Sequence, residues 1–121
     1  SPAEFYRLLK KAMLAWSQDE LEHGLLDETW AQFEGRVASM LTRLQNSDAK
    51  RVLVVSSGGA IAMMLKHILG YDSATVINMN LQIRNASFSQ CFANKRGVHL
   101  NNFNSVPHLD VTDRLHAITY S

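Results

Sequence analysis

The sequence predicts an α/β fold, a mainly parallel sheet with helices on both sides that ends in an antiparallel hairpin. Three observations carry this. "VLVV", Val52 to Val55, is apolar at every position and mostly β-branched. Alternation would leave one face wet, whereas a continuous run belongs to a strand covered on both faces, as in a parallel sheet. Amphipathic helical patterns stand on either side of that run. Farther on, residues 81–93 alternate as a strand does, and a short turn brings the chain back as an antiparallel partner.

The elements follow in order. Ser1 suits an N-cap and Pro2 the first helical position, where its missing N–H costs nothing. Phe5, Leu8, Leu9, Ala12 and Trp16 then share one helix face, with Arg7, Lys10 and Lys11 on the solvated side. "SQDELEHGLLDE" is a polar connector. A second helix starts near Asp27, read as its N-cap, with a buried stripe of Trp30, Phe33, Val37, Met40 or Leu41, and Leu44. "QNSDAKR" is a loop before the apolar run. After Ser56-Ser57-Gly58-Gly59, a third helix presents Ile61, Met64, Leu65, Ile68 and Leu69 and stops at Gly70. "DSATVINMN" reads equally as a short helix or an irregular segment. In the strand that follows, Ile83, Asn85, Ser87, Ser89 and Cys91 share one face. "NKRG" is the turn, and Val98 to Phe103 is the return strand. The tail suggests a short helical turn near residues 110–115.

The length of 121 residues fits one domain, residues 1–121. Twelve basic and eleven acidic residues leave net charge near zero, which predicts neither a nucleic-acid nor a membrane partner. The single Cys91 cannot form an internal disulfide, so a reducing, cytoplasmic setting is expected. No apolar run reaches the length of a membrane span. The chain opens on Ser1-Pro2 without a Met, which predicts that an upstream part is missing.

Ser56 to Gly59 stand at the carboxyl end of the expected strand, where ligands gather in open α/β sheets. They also open a helix, whose free N–H groups and positive dipole end favour an anion. Glycines let a backbone approach a ligand closely, and a serine hydroxyl can donate to a phosphate oxygen. The forecast is a phosphate site formed by Ser57, Gly58 and Gly59. A plain capped helix explains the same residues, and both readings stand at this level. The turn matches neither a P-loop nor a nucleophile elbow.

"RVLVVSSGGAIAMMLKHILG" resembles the C-terminal signature of the histidine phosphatase superfamily, the phosphoglycerate mutase-like proteins, in which a buried strand ends in S-H-G-G before a helix. "DETWAQFEGRVASMLTRL" resembles the preceding helix, with its E-[ST]-x-x-x-F-x-x-R-V pattern. "RNASFSQ" resembles a later strand with N-x-S, and "LNNFNSVPHL" the closing strand with N-x-x-x-H-L. The likeness covers Asp27 to Leu109 and implies the C-terminal part of a three-layer α/β/α domain. It also implies phosphate-ester hydrolysis or mutase chemistry through a phosphohistidine. The nucleophilic His and an Arg of that chemistry come from an R-H-G motif, and a second Arg and an acid come from the middle of the chain. No R-H-G occurs here, and no residue can be placed as the middle Arg or the acid. Ser57 stands where the second His belongs, so an inactive chain is expected. A non-catalytic relative that binds a phosphorylated ligand or a protein is the alternative.

The remaining candidates read more plainly. None of the five histidines has a metal-ligand spacing with another His, Cys or carboxylate, and no metal or cofactor is expected. His67 is expected at solvent or a helix end, and the resemblance gives His108 a structural role. Asn85 either steadies the backbone near Ser57 or is a buried amide satisfied by a neighbour. Cys91 is expected as a buried, inert thiol, and Trp16, Trp30, Met63 and Met64 as core. The Val52–Val55 strand needs a neighbour on each edge. The hairpin can supply one; the superfamily's first strand, absent here, would supply the other. A homodimer, or association with a separated N-terminal segment, is therefore expected, with a small phosphorylated molecule as ligand.

Overall fold

The computed structural model describes residues 1–109, 112 and 114–120. Four helices, α1 (Pro2–Ser17), α2 (Trp30–Gln45), α3 (Gly58–Leu69) and α4 (Ser73–Gln82), precede two strands, β1 (Phe88–Asn94) and β2 (Gly97–Ser105). Helices and strands thus share the chain, in the α/β class expected of it.

Local chemistry sets the helix starts. Ser1 Oγ accepts from the Glu4 amide at 3.3 Å while the Glu4 carboxylate reaches back to the Ser1 ammonium. At α2 the cap is Thr29 rather than Asp27. Thr29 Oγ1 accepts from the Gln32 amide at 3.2 Å, and Gln32 Oε1 accepts from the Thr29 amide at 2.8 Å. This reciprocal pair satisfies two donors, which explains why the helix begins two residues later than the first acidic candidate. Asp72 caps α4, accepting from the Thr75 amide at 2.8 Å and the Thr75 hydroxyl at 2.7 Å, so "DSATVINMN" resolves as a helix. Gly70 ends α3 at φ 78°, a left-handed conformation that glycine adopts without a Cβ clash.

The core lies among α2, α3 and α4. Trp30, Phe33 and Val37 meet Ala62 and Met63, with Val76, Ile77 and Ile83 closing the cluster. Trp16 of α1 stands edge-on to Trp30 at 5.0 Å and stacks on Phe33 at 5.5 Å. Both indoles are satisfied, Trp16 Nε1 donating to the Glu28 carbonyl at 3.2 Å and Trp30 Nε1 to Ser73 Oγ at 3.0 Å. The stripe of α2 is buried as its periodicity predicts. That of α1 is buried only toward its end: Met13, Leu14 and Trp16 pack on the core, while Phe5 and Leu8 stay 63% and 68% exposed. Its main partner α4 has 10 residues against 16 in α1, about 15 Å against about 24 Å of helix, so part of α1 overhangs. In α3 the buried residues are Gly58, Ala62, Met63 and Leu65: Leu65 of the expected stripe and Met63 of the expected core are buried, while Ala62 joins them because α3 is wedged between α2 and α4. Ile61 and Met64 are partly buried and Leu69 is exposed.

The hairpin forms where the alternation ends. β1 and β2 are antiparallel, with Ala93 opposite Val98 and Asn94 opposite Gly97. Asn94 Oδ1 holds the turn by accepting the Arg96 and Gly97 amides at 2.8 and 3.2 Å. The strand is shorter than residues 81–93: Leu81 and Gln82 finish α4, and Ala86 takes φ 59°, which interrupts extension before Phe88. Cys91 is exposed rather than buried, because the hairpin covers little of itself; partial desolvation still holds its thiol above the ordinary value.

The sheet expected around Val52–Val55 is not assembled by the described residues. The segment has no ladder partner, since β1 and β2 pair with each other. A ladder is what makes a strand, and without one the run remains irregular and exposed. The turn expected near residues 110–115 lies partly outside the described residues; a short 3₁₀ turn spans Leu115–Ala117. Among the described residues, no helix is long and apolar enough to cross a membrane.

Met63 is fully buried, so Met63→Ala should lower unfolding free energy in urea by about 2–5 kcal/mol, whereas Leu8→Ala should stay within about 0.5 kcal/mol of the parent. The Thr75 hydroxyl and then the Thr75 amide hold the Asp72 carboxyl below its ordinary value. A carboxyl held low in the folded chain adds stability above its unfolded pKa, about 4, that is lost as pH falls through the lower folded value. Asp72→Asn keeps a capping side chain but should remove this part of the acid sensitivity, read from denaturation midpoints between neutral and acidic pH.

Candidate functional site

The turn before α3 is the one place where the predicted site residues come together. Ser57 is the N-cap in an extended conformation, φ −88° and ψ 163°, and its carbonyl accepts the Ile61 amide at 3.0 Å. Its hydroxyl makes no cap hydrogen bond, in contrast to the side chains of Ser1, Thr29 and Asp72. The first amides of α3 are therefore uncapped by any side chain, at the positive end of the helix dipole. Ser56 and Ser57 are exposed and Gly58 is buried.

Neither Gly58 nor Gly59 takes a positive φ. A Cβ on Gly59 would lie 3.9 Å from Asn80 Oδ1, an ordinary contact. The backbone conformation does not require glycine at position 59; its effect is to leave the amides bare. Asn80 was not among the sequence candidates. It lies one turn beyond Val76 and Ile77 on α4, half-buried, with its amide nitrogen 3.6 Å from Met13 Sδ, a weak acceptor. A polar residue one turn after two core positions is the signal that could have found it.

Asn85 is not joined to this turn by a hydrogen bond. It is exposed, its backbone amide donates to the Thr119 carbonyl at 2.7 Å, and its side chain donates to Thr119 Oγ1 at 3.0 Å. It fastens the C-terminal segment to the chain beside the Arg84–Tyr120 bridge. His67 Nε2 donates to the Glu34 carbonyl at 3.1 Å, next to the ion pair of Lys66 Nζ and Glu34 Oε1 at 2.6 Å. His108 stacks on Phe88 at 5.4 Å. Neither imidazole has a hydrogen bond to Ser57. Two shallow clefts lie elsewhere, one by Phe88 and Pro107 and one between α2 and the hairpin turn; neither is lined by residues 56–59. Among the described residues, the turn is thus open to solvent at Ser56 and Ser57. Among the described residues, no three His, Cys, Asp or Glu side chains gather as a metal site would require.

A family model for the histidine phosphatase superfamily (branch 1) matches residues 1–106. The chain belongs to the histidine phosphatase superfamily. No curated protein and no solved structure matches it. The four helices and the hairpin are consistent with the superfamily's α/β fold.

Most of the superfamily-like motifs in this chain have structural work in the fold. In the α2 pattern Thr29 is the cap, Phe33 and Val37 are core, and Arg36 pairs with Glu28 at 2.8 Å while its guanidinium lies 5.5 Å over the Phe33 ring. The Arg36 hydrogen bond holds the Glu28 carboxyl below its ordinary value. In the closing pattern Asn104, at φ 58°, accepts the Arg84 amide at 2.7 Å and donates to the Gln82 carbonyl at 2.8 Å. These contacts place the end of α4 against β2. In the turn motif, by contrast, the Ser57 side chain makes no cap hydrogen bond.

Because the backbone tolerates a side chain at Gly59, Gly59→Ala should raise unfolding free energy by about 0.4–1 kcal/mol in urea titration. A clear loss of stability would mean that the fold itself needs a bare Cα there.

Proposed function

We propose that Ser57, Gly58 and Gly59 hold the phosphoryl group of a small phosphorylated molecule, and that this chain alone does not turn such a molecule over. The observation that supports this best is the uncapped start of α3, where the Ser57 hydroxyl is free to meet a ligand. Phosphohistidine chemistry needs an imidazole nucleophile, and the sequence has no Arg-His-Gly. A serine hydroxyl offers one neutral donor where an imidazolium would offer a charged one, so developing charge on a transferring phosphoryl group is less stabilised. Binding without turnover is favoured by this substitution, and catalysis would call for a nucleophile from outside these residues. A non-catalytic relative acting through a phosphorylated ligand or a protein fits the same turn. A reducing, cytoplasmic setting agrees with the single free Cys91.

Titration with inorganic phosphate, followed by NMR, should shift the amides of Gly58, Gly59 and Ala60 first, and the same chain should not hydrolyse p-nitrophenyl phosphate above the buffer rate. Ser57→His should tighten phosphate binding about fivefold to tenfold below pH ~6.5, where an imidazole is cationic, and the gain should fade as pH rises. Unmoved amides at residues 58–60, or turnover by the unmodified chain, would defeat the proposal.

A further inference from the structure

A cleft of about 460 Å³ lies between α2, the last turn of α3 and the hairpin turn, apart from residues 56–59. Small-molecule pockets run from about 300 to 1,000 Å³, so its size suits one small ligand. From α2 come Ala38, Leu41, Thr42 and Gln45, whose spacing puts them on one helix face. The walls are tied to one another. Gln45 Nε2 donates to the Asn94 carbonyl at 2.9 Å and holds the hairpin turn on α2. His67 Nε2, by its bond to the Glu34 carbonyl at 3.1 Å, holds α3 on α2. These bonds also decide what the lining has left to offer. A carbonyl only accepts, so the neutral His67 ring carries its proton on Nε2 and leaves Nδ1 as an acceptor. Thr42 Oγ1 gives its proton to the Ala38 carbonyl at 3.2 Å and can still accept. Gln45 keeps its Oε1. On the hairpin, the Arg96 guanidinium has no hydrogen bond or ion pair among the described residues, and no Asp or Glu lines the cleft.

We propose that this cleft binds a free α-amino acid with an aliphatic side chain, such as leucine. The lining offers a charged donor fork, open acceptors and an aliphatic surface, and such a molecule carries the complement of each. Its carboxylate meets the Arg96 guanidinium, whose planar fork matches two oxygens at once. Its ammonium brings three N–H donors to the open acceptors on Thr42, Gln45 and His67. Its side chain covers Leu41, Ile68 and Val98, which are half-buried in the chain alone and lose further water on binding. Other small ligands satisfy only part of this set. A phosphate ester or a dicarboxylate turns anionic oxygens toward the acceptors. An aliphatic amine leaves its charge beside Arg96 with no carboxylate to meet it. A hydrocarbon strips water from the polar groups and gives no bond in return.

The test titrates the full chain with leucine and follows it by NMR. The amides of Leu41, Thr42, Gly97 and Val98 should shift saturably. Glycine lacks the aliphatic part, isocaproate the ammonium and isoamylamine the carboxylate, so each should bind about tenfold more weakly than leucine, or worse. Arg96→Gln should weaken leucine binding about tenfold or more while the urea midpoint stays unchanged, because the guanidinium it removes has no partner in the described fold. Unmoved amides at these four residues overturn the proposal. So does any of the three analogues binding as tightly as leucine, or an Arg96→Gln chain that binds leucine as well as the parent. The comparison of analogues uses the parent chain, so it tests the proposal even where the variant folds poorly.

Discussion

The packing of α2 and α4 around Met63 holds the rest of this structure in place. Met63 has no exposed surface, and Trp30, Phe33 and Val37 approach it from one helix while Val76 and Ile77 close it from another. A methionine fills such a space well because it is unbranched and adapts to irregular gaps. The Trp16 ring, stacked on Phe33, binds α1 to the same centre. Tyr71, in the connection after α3, donates its hydroxyl to the Ala62 carbonyl, and burial pushes its pKa up to about 12, so the bond remains a donor bond across the physiological range. The start of α3 is fixed by this centre, because Gly58 is buried and Ala62 and Met63 follow one turn later.

Chemistry confined to a few neighbouring residues was legible in the sequence. Ser1 and Pro2 opened a helix, Gly70 closed one, and "NKRG" turned the hairpin, each for reasons internal to three or four residues. The α2 stripe was legible because its partners lie in this chain. Where burial depended on the size or angle of a partner, periodicity said less. Phe5 and Leu8 belong to an apolar face that outruns α4, and α3 buries Ala62 rather than Ile61 or Leu69 because two helices flank it. The residues before β1 alternated convincingly, but Ala86 adopts a left-handed backbone that no alternation reveals.

The site divides in the same way. Ser57, Gly58 and Gly59 were legible because they are contiguous, and contiguity alone fixes their relation to the helix dipole. Asn85 was assigned by strand parity, and its position failed with the strand: outside a regular ladder its side chain turned to Thr119. Asn80 required knowledge of how α4 packs across α3. The superfamily resemblance, shown over residues 1–106, therefore holds more of its content here in caps, ion pairs and core contacts than in reactive groups.

The uncovered valines and leucine have a consequence for the life of the polypeptide in a cell. A short, β-prone, uncharged window is what chaperones and proteases recognise in an unfinished protein, and here it persists after the helices have packed. Lys50 and Arg51 stand immediately before it as gatekeepers that slow uncontrolled stacking, although nothing comparable guards the far side, where the serines and glycines begin. Survival would then depend on whatever caps the segment, and quality control would sense that cap through four residues.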